Sequence, residues 1–231
     1  MSVEFNEDQT IHPIHSFITM QGEGPDAGRR MMLIRFKECD RVANGHPCEY
    51  CDTLVTMSIS NKMSLTLQDL QTTLYNTKCG IMITGGEPGY SNNYNESLLM
   101  LNELIYPYAN VETNGCNLTS FIKDTQEDNI KFIYSPKIFS SEELKTNLEL
   151  SEAVLKDKRV YFKIVYENND LIHQYLEELI RINNGNTEHI YLMPEGDTIE
   201  KLIKHSGEVF DMCEKYKVNF STRSHIIYGF I

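Results

Sequence analysis

Short apolar runs alternate with stretches of helical spacing from about residue 31 onward, and this alternation constrains the fold more than any other feature. MMLIRF at 31–36, IMIT at 81–84, the segment 110–113, KFIYS at 131–135, VYFKIVY at 160–166 and HIYLM at 189–193 read as strands. Helical spacing fills the intervals: from a cap at Ser64 or Thr66 to about 77, then 92–106, 117–125, 141–156, 168–183 and 197–216. A last strand is expected over 218–226. Repeated strand and helix with short connections argues for parallel βα units sharing one sheet. The expectation is an α/β fold, a partial (β/α) barrel of about six parallel strands. An open doubly wound sheet has the same periodicity. In both, chemistry collects at the carboxyl ends of the strands.

Nothing in the 231 residues reads as a repeat, a low-complexity tract or a linker, so residues 1–231 are expected to form a single domain. With 41% hydrophobic residues the chain can bury a core without disulfide staples. A net charge of −12 repels a phosphate backbone, which argues against nucleic acid as a partner. No apolar run approaches the ~20 residues of a membrane span. The start, MSVEFNEDQTIHP, is acidic and polar where a signal peptide is basic and then apolar. The reading is a cytoplasmic protein.

The polar loop between the first strand and about residue 63 is too long to be idle, and a metal centre is one way to order it. It holds Cys39, Cys48 and Cys51, the last two as a C-x-x-C pair, whereas Cys79, Cys116 and Cys213 are scattered among apolar neighbours. In a reducing compartment such thiols are read as ligands rather than bridges. Three thiolates on a four-iron cluster would leave one iron open; structural zinc with His46 as the fourth ligand is the competing assignment, and on this segment alone the two stay open.

Other motifs stand at strand ends or beside the cysteines. Gln21-Gly22-Glu23-Gly24 precedes the cluster and Cys51-Asp52-Thr53 closes it. Thr84-Gly85-Gly86-Glu87-Pro88, Glu112-Thr113-Asn114-Gly115 and Ser135-Pro136-Lys137 follow the next three strands. Together, in this order, they resemble the 7-carboxy-7-deazaguanine synthase family of radical S-adenosylmethionine enzymes, over residues 17–231. The usual C-x3-C-x2-C spacing is enlarged here to eight residues between Cys39 and Cys48, at small cost because closure entropy grows only with the logarithm of loop length.

The resemblance implies a [4Fe-4S] cluster on Cys39, Cys48 and Cys51, with S-adenosylmethionine on the open iron. Tyr50, Cys51 and Asp52 would flank that cofactor. Gly85, Gly86 and Glu87 would hold its methionine part, Ser135, Pro136 and Lys137 its carboxylate and ribose, and Met193, Pro194 and Glu195 its adenine. Met193 and Arg223 both stand where the family often has Gln. Thr53 resembles the family's Mg2+ ligand. Gln21, Gly22, Glu23, Arg35, Thr84, His225 on the last strand and the carboxylate of Ile231 would bind the substrate, 6-carboxy-5,6,7,8-tetrahydropterin. Arg35 suits its carboxylate, each charge-assisted bond contributing ~1.5–3 kcal/mol. No side chain serves as acid or base; the adenosyl radical takes a hydrogen from C6, the ring contracts with loss of ammonia, and hydrogen return regenerates the cofactor. A small pterin partner, an electron donor such as flavodoxin, and a homodimer complete the expectation.

Each motif also has an ordinary reading. Gly85-Gly86 suits a tight turn, Asn114-Gly115 a hairpin, Thr53 a cap, Tyr50 loop packing, and Arg35 an internal ion pair. The rival functions are a radical activating enzyme for a glycyl-radical protein and a non-catalytic zinc-binding module.

Overall fold

A computed structural model describes residues 9–51, 53–167 and 169–230. The strands among them are β1 (Thr10–Ile11), β2 (His15–Met20), β3 (Arg30–Phe36), β4 (Leu65–Thr66), β5 (Gly80–Gly85), β6 (Ala109–Thr113), β7 (Ile130–Tyr134), β8 (Val160–Tyr166), β9 (Ile190–Pro194) and β10 (Asn219–Phe220). The helices are α1 (Asp40–Ala43), α2 (Leu54–Ile59), α3 (Leu67–Thr77), α4 (Asn92–Glu103), α5 (Leu118–Asp124), α6 (Ser141–Val154), α7 (Asp170–Ile182), α8 (Ile199–Tyr216) and α9 (Ser224–Tyr228).

The strand order is β10-β9-β8-β7-β6-β5-β3-β2, with β1 and β4 forming a separate antiparallel ladder. The order does not close into a barrel. It contains eight strands, where about six were expected. The strand that no apolar pattern announced is β2, which leaves every residue at least partly exposed, while β10, within the expected last strand, is only two residues long. The pairs β3–β5, β5–β6, β7–β8, β8–β9 and β9–β10 are parallel.

Two compact units divide the chain, one from Met1–Thr19 and Arg29–Lys131, the other from Met20–Gly28 and Phe132–Ile231. In the first, β3 and β5 are near-continuous apolar runs because both faces of a parallel strand are covered. Ile34, Phe36, Ile81, Ile83 and Val111 are buried there, with Leu67, Leu70 and Leu74 of α3. Each such side chain contributes about 1.5–3 kcal/mol by leaving water. Helix α3 starts at Thr66, whose hydroxyl accepts from the Asp69 N–H (3.1 Å).

In the second unit Phe132, Phe162, Ile164, Ile190 and Leu192 form the strand layer's core, covered by Tyr175, Leu176 and Leu179 of α7 and Leu202 of α8. Ser140, Asn169 and Thr198 cap α6, α7 and α8 in the same way as Thr66 caps α3.

Two expectations about local structure are corrected. The long loop after β3 contains the short helices α1 and α2. The expected strand over 218–226 ends at Phe220, and His225 lies in α9. Polar bonds pull the chain away there: the Ser221 N–H still donates to Leu192 O (2.8 Å), but the Ser224 N–H and hydroxyl both donate to Gly22 O. No helix among the described residues is long and apolar enough to cross a membrane.

Candidate functional site

The first unit places its motifs at the carboxyl ends of β3, β5 and β6. In the β3–β5 register Arg35 lies opposite Thr84 and Phe36 opposite Gly85. The pairing runs past the strand ends, with the Gly86 N–H donating to Phe36 O (2.9 Å) and the Glu87 N–H to Glu38 O (2.7 Å). This explains the two glycines. Gly85 has φ +89, and a Cβ there would meet Arg35 and the Phe36 backbone; a Cβ on Gly86 would meet the Glu38 carbonyl. The close approach that these glycines permit is to their own chain.

Glu87 is buried and engaged by three neutral donors. Its Oε1 accepts from Thr113 Oγ1 (2.6 Å) and from the Gly89 N–H (2.8 Å), and its Oε2 from the Asn114 N–H (2.7 Å). Burial pushes its carboxyl up to about 7, and those three hydrogen bonds only partly oppose the rise. Asn114 is thus part of this network rather than of a hairpin, and its Nδ2 donates to Asp40 Oδ1 (2.7 Å).

The same Asp40 oxygen accepts from the Cys39 thiol at 3.6 Å. Cys39, Cys48 and Cys51 are half-buried thiols outside any disulfide, and burial pushes the Cys39 thiol up to about 11. Cys48 and Cys51 are linked by a backbone bond, Cys51 N–H to Cys48 O (3.2 Å). Among the described residues no group of three His, Cys, Asp or Glu side chains is gathered as a ligand set. What fits an iron–sulfur cluster is the donor chemistry, three unbridged thiols on the segment after a strand end. His46, the fourth ligand of the zinc alternative, is exposed. Tyr50 is half-buried, and Thr53 stands at the N-cap position of α2 without making a capping bond. Asp52 lies outside the described residues.

The second unit gathers a different cluster. Gln21 is buried and its side-chain oxygen accepts from the Glu23 N–H (3.2 Å). Gly22 is required by close packing, since a Cβ there would run into the His225 imidazole. The Glu23 carboxylate pairs with Lys163 Nζ through Oε2 (2.5 Å) and with Arg223 Nε through Oε1 (2.9 Å). Burial alone would raise its pKa, but Lys163 and Arg223 outweigh burial and hold it well below the usual carboxylate range, with His225 adding to the effect. Arg223 Nη1 also donates to Gly196 O (2.9 Å).

Lys137 Nζ donates to Ser135 Oγ (2.9 Å), and Pro136 between them is buried. Met193 and Pro194 are buried at the end of β9, in register with Val165 and Tyr166. Glu195 accepts from His205 through its carbonyl (2.8 Å). Ile231 lies outside the described residues.

Lys163 is the residue that sequence reasoning missed. Its signal is a single cation inside the otherwise apolar run VYFKIVY, buried on a strand, where an unpaired ammonium is costly. Asp40 was equally unmarked, hidden in the gap between the first two cysteines.

No family model matches the chain. A curated 7-carboxy-7-deazaguanine synthase from Hyperthermus butylicus is 24% identical over 223 residues, spanning 94% of this chain and 92% of its own. Proteins of the same name from Thermoplasma acidophilum and Clostridium acetobutylicum are 28% and 23% identical over 73% and 78% of this chain, and 76% and 80% of theirs. The crystal structure of QueE from Escherichia coli matches with a TM-score of 0.57 and 18% identity, over 92% of this chain and 93% of that one. It shows a shared α/β fold.

Proposed function

We propose that this chain is a radical S-adenosylmethionine lyase that converts 6-carboxy-5,6,7,8-tetrahydropterin to 7-carboxy-7-deazaguanine with loss of ammonia, in queuosine-type 7-deazaguanine biosynthesis. The observation that carries the reading is similarity along nearly the whole chain to a curated synthase of that name, joined to three cysteines outside any disulfide in the segment that follows β3. Neither rival, a glycyl-radical activating enzyme or a zinc module, accounts for similarity of that extent.

Cys39, Cys48 and Cys51 would hold a [4Fe-4S] cluster, which with S-adenosylmethionine supplies one-electron cleavage of a sulfonium bond and hence a hydrogen-abstracting adenosyl radical. The side chains around it bind and orient. Tyr50, Cys51, Asp52, Gly85, Gly86, Glu87, Ser135, Pro136, Lys137, Met193, Pro194 and Glu195 are proposed to receive the cofactor, with the limits the geometry sets. Glu87 already accepts three hydrogen bonds and has room for about one more, since a carboxylate has roughly four lone-pair sites. Ser135 Oγ and Lys137 Nζ are pre-bonded to each other, so a carboxylate ligand would take over the ammonium.

Gln21, Gly22, Glu23, Arg35, Thr84, His225 and Ile231 are assigned to the pterin. Thr53 is assigned to Mg2+, whose chemistry needs few protein oxygens. The wider proposal is a single radical S-adenosylmethionine domain over residues 1–231, built as a partial (β/α) barrel with the cluster loop after its first long strand. It is a cytoplasmic homodimer reduced by a donor such as flavodoxin, without nucleic-acid or membrane partners.

The test is anaerobic cluster reconstitution followed by product analysis with the pterin, S-adenosylmethionine and a reductant, with and without Mg2+. The expected result is a brown iron–sulfur protein that yields 7-carboxy-7-deazaguanine, faster with Mg2+. An intact cluster with no such product rejects the assignment.

A further inference from the structure

Glu23 is held in place by residues 140 and 200 positions away in the chain, which is a large structural commitment for one carboxylate. Lys163 reaches it from β8, where its side chain is 6% exposed, and Arg223 from the turn before α9, where its side chain is 11% exposed. A carboxylate buried this far would otherwise take up a proton and become a donor on one oxygen. Two cations on opposite oxygens prevent that and leave about one further lone pair on each oxygen, side by side. Such an edge accepts two parallel N–H groups and repels a ligand that presents acceptors there. The 2-amino-4-oxopyrimidine edge of a pterin presents that N–H pair.

We propose that Lys163 and Arg223 are positioning residues for pterin recognition: they keep Glu23 an oriented, charged double acceptor, and Arg223 ties that acceptor to the Gly196 carbonyl of the loop after β9. The inference rests on the proposed pterin chemistry and adds to it two residues and a specificity rule. It also gives a reason for Arg223 at a position where the resemblance expects Gln. A neutral amide would supply one hydrogen bond to Glu23 without its charge, and would not reach both the carboxylate and Gly196 as a guanidinium fork does.

The charged groups facing Glu23 are Lys163 from β8, Arg223 from the segment before α9 and His225 from α9. With both cations present, Glu23 is expected to add no pH dependence to recognition across the neutral and mildly acidic range, so any that wild type shows there belongs to other groups such as His225. Removing one lets burial raise the carboxyl, so that protonation competes with ligand binding.

The experiment uses the reconstituted full-length enzyme with S-adenosylmethionine and reductant, measuring KM for the pterin and kcat separately from pH 5.5 to 8, as an assay setting of roughly the range in which a buried carboxyl titrates. The wild-type KM profile, which carries any titration of His225, is the reference. In Lys163→Met, KM should rise on acidification relative to wild type, approaching roughly tenfold per pH unit below the new pKa, with kcat little changed. Arg223→Gln should show the same limb more weakly, and Arg223→Lys should restore part of the wild-type profile. Adding Glu23→Gln to either variant should abolish the limb while leaving binding weak.

Folded variants whose KM follows the wild-type pH profile overturn the positioning role, because a merely structural pair lowers melting temperature without creating an acid limb. A limb that survives in the Glu23→Gln background overturns it as well. If Lys163→Met does not fold, the two Arg223 variants decide the matter. Failure of the underlying chemistry has a separate signature, wild-type enzyme with an intact cluster and no product.

Discussion

Glu87 and Glu23 are the same side chain, both largely removed from water, one in each unit, and their ionisation moves in opposite directions. Glu87 has three good hydrogen bonds from neutral groups, and burial still pushes it up to about 7. Glu23 has two cations, and its carboxyl is held below the usual range although burial acts on it too. Hydrogen bonding satisfies a buried carboxyl, whereas a nearby positive charge determines that it stays ionised. The two regions therefore suit different ligands. Around Glu87 the chain offers a satisfied acceptor, poised to gain from an ammonium group; around Glu23 it offers a fixed anion with its countercharge built in.

The strongest way to break this contrast is to remove the countercharge. Lys163→Met should destabilise the second unit by about 3–5 kcal/mol, the usual cost of leaving one member of a buried ion pair alone. Urea unfolding of the cluster-free chain measures it. A loss near zero would mean that Arg223 alone satisfies Glu23, and the contrast with Glu87 would reduce to a single contact.

Somewhat smaller is the pH dependence that Glu87 imposes. Its folded-state value, about 7, lies above its ordinary 4.5. Between these the folded chain keeps a proton that the unfolded chain has released, so stability falls as pH rises through the window and levels off above it. The displacement corresponds to something on the order of 3 kcal/mol. Glu23 behaves with the opposite sign: its contribution is present above the ordinary carboxylate value and is lost only as pH drops well below it. Unfolding curves from pH 4.5 to 8 should therefore show a downward slope in wild type, set in that range by the ordinary and folded values of Glu87, which Glu87→Gln flattens.

This contrast marks the limit of what was legible in the sequence. Strands such as β3 and β8 announce themselves because both faces are buried and the apolar run is unbroken. The edge strand β2 is half-exposed throughout and has no such pattern, and the short α1 and α2 are too brief for periodicity to show. At the site, Glu87 and Glu23 are visible as members of motifs, because motifs are local. Their opposite chemistry is not, since it depends on Lys163 and Arg223 arriving across most of the chain. Gly85 and Gly86 illustrate the same point: their lack of a side chain is legible, but that the Phe36–Glu38 backbone fills the space becomes clear only in three dimensions.

The smallest effect separates orientation from ionisation in the first unit. Asn114 serves Glu87 through its backbone N–H, and through its side-chain amide it donates to Asp40 and accepts from the Cys116 N–H (3.0 Å), so Asn114→Ala keeps the first bond and removes the other two. Asp40 would keep the Cys39 thiol as a weak donor at 3.6 Å. The site is partly open to water, which can replace the lost amide, so the expected loss is about 1–2 kcal/mol for the two bonds together. Because the backbone bond survives, the pH slope assigned to Glu87 should be the same in Asn114→Ala as in wild type. The Asp40 carboxylate, once freed, should instead alter the loading of the adjacent Cys39, read as iron bound per chain after anaerobic reconstitution. The Asp40 charge already adds to the rise at Glu87 through space, so a pH slope that changes along with stability would mean that Asn114 also couples the two carboxylates through its amide.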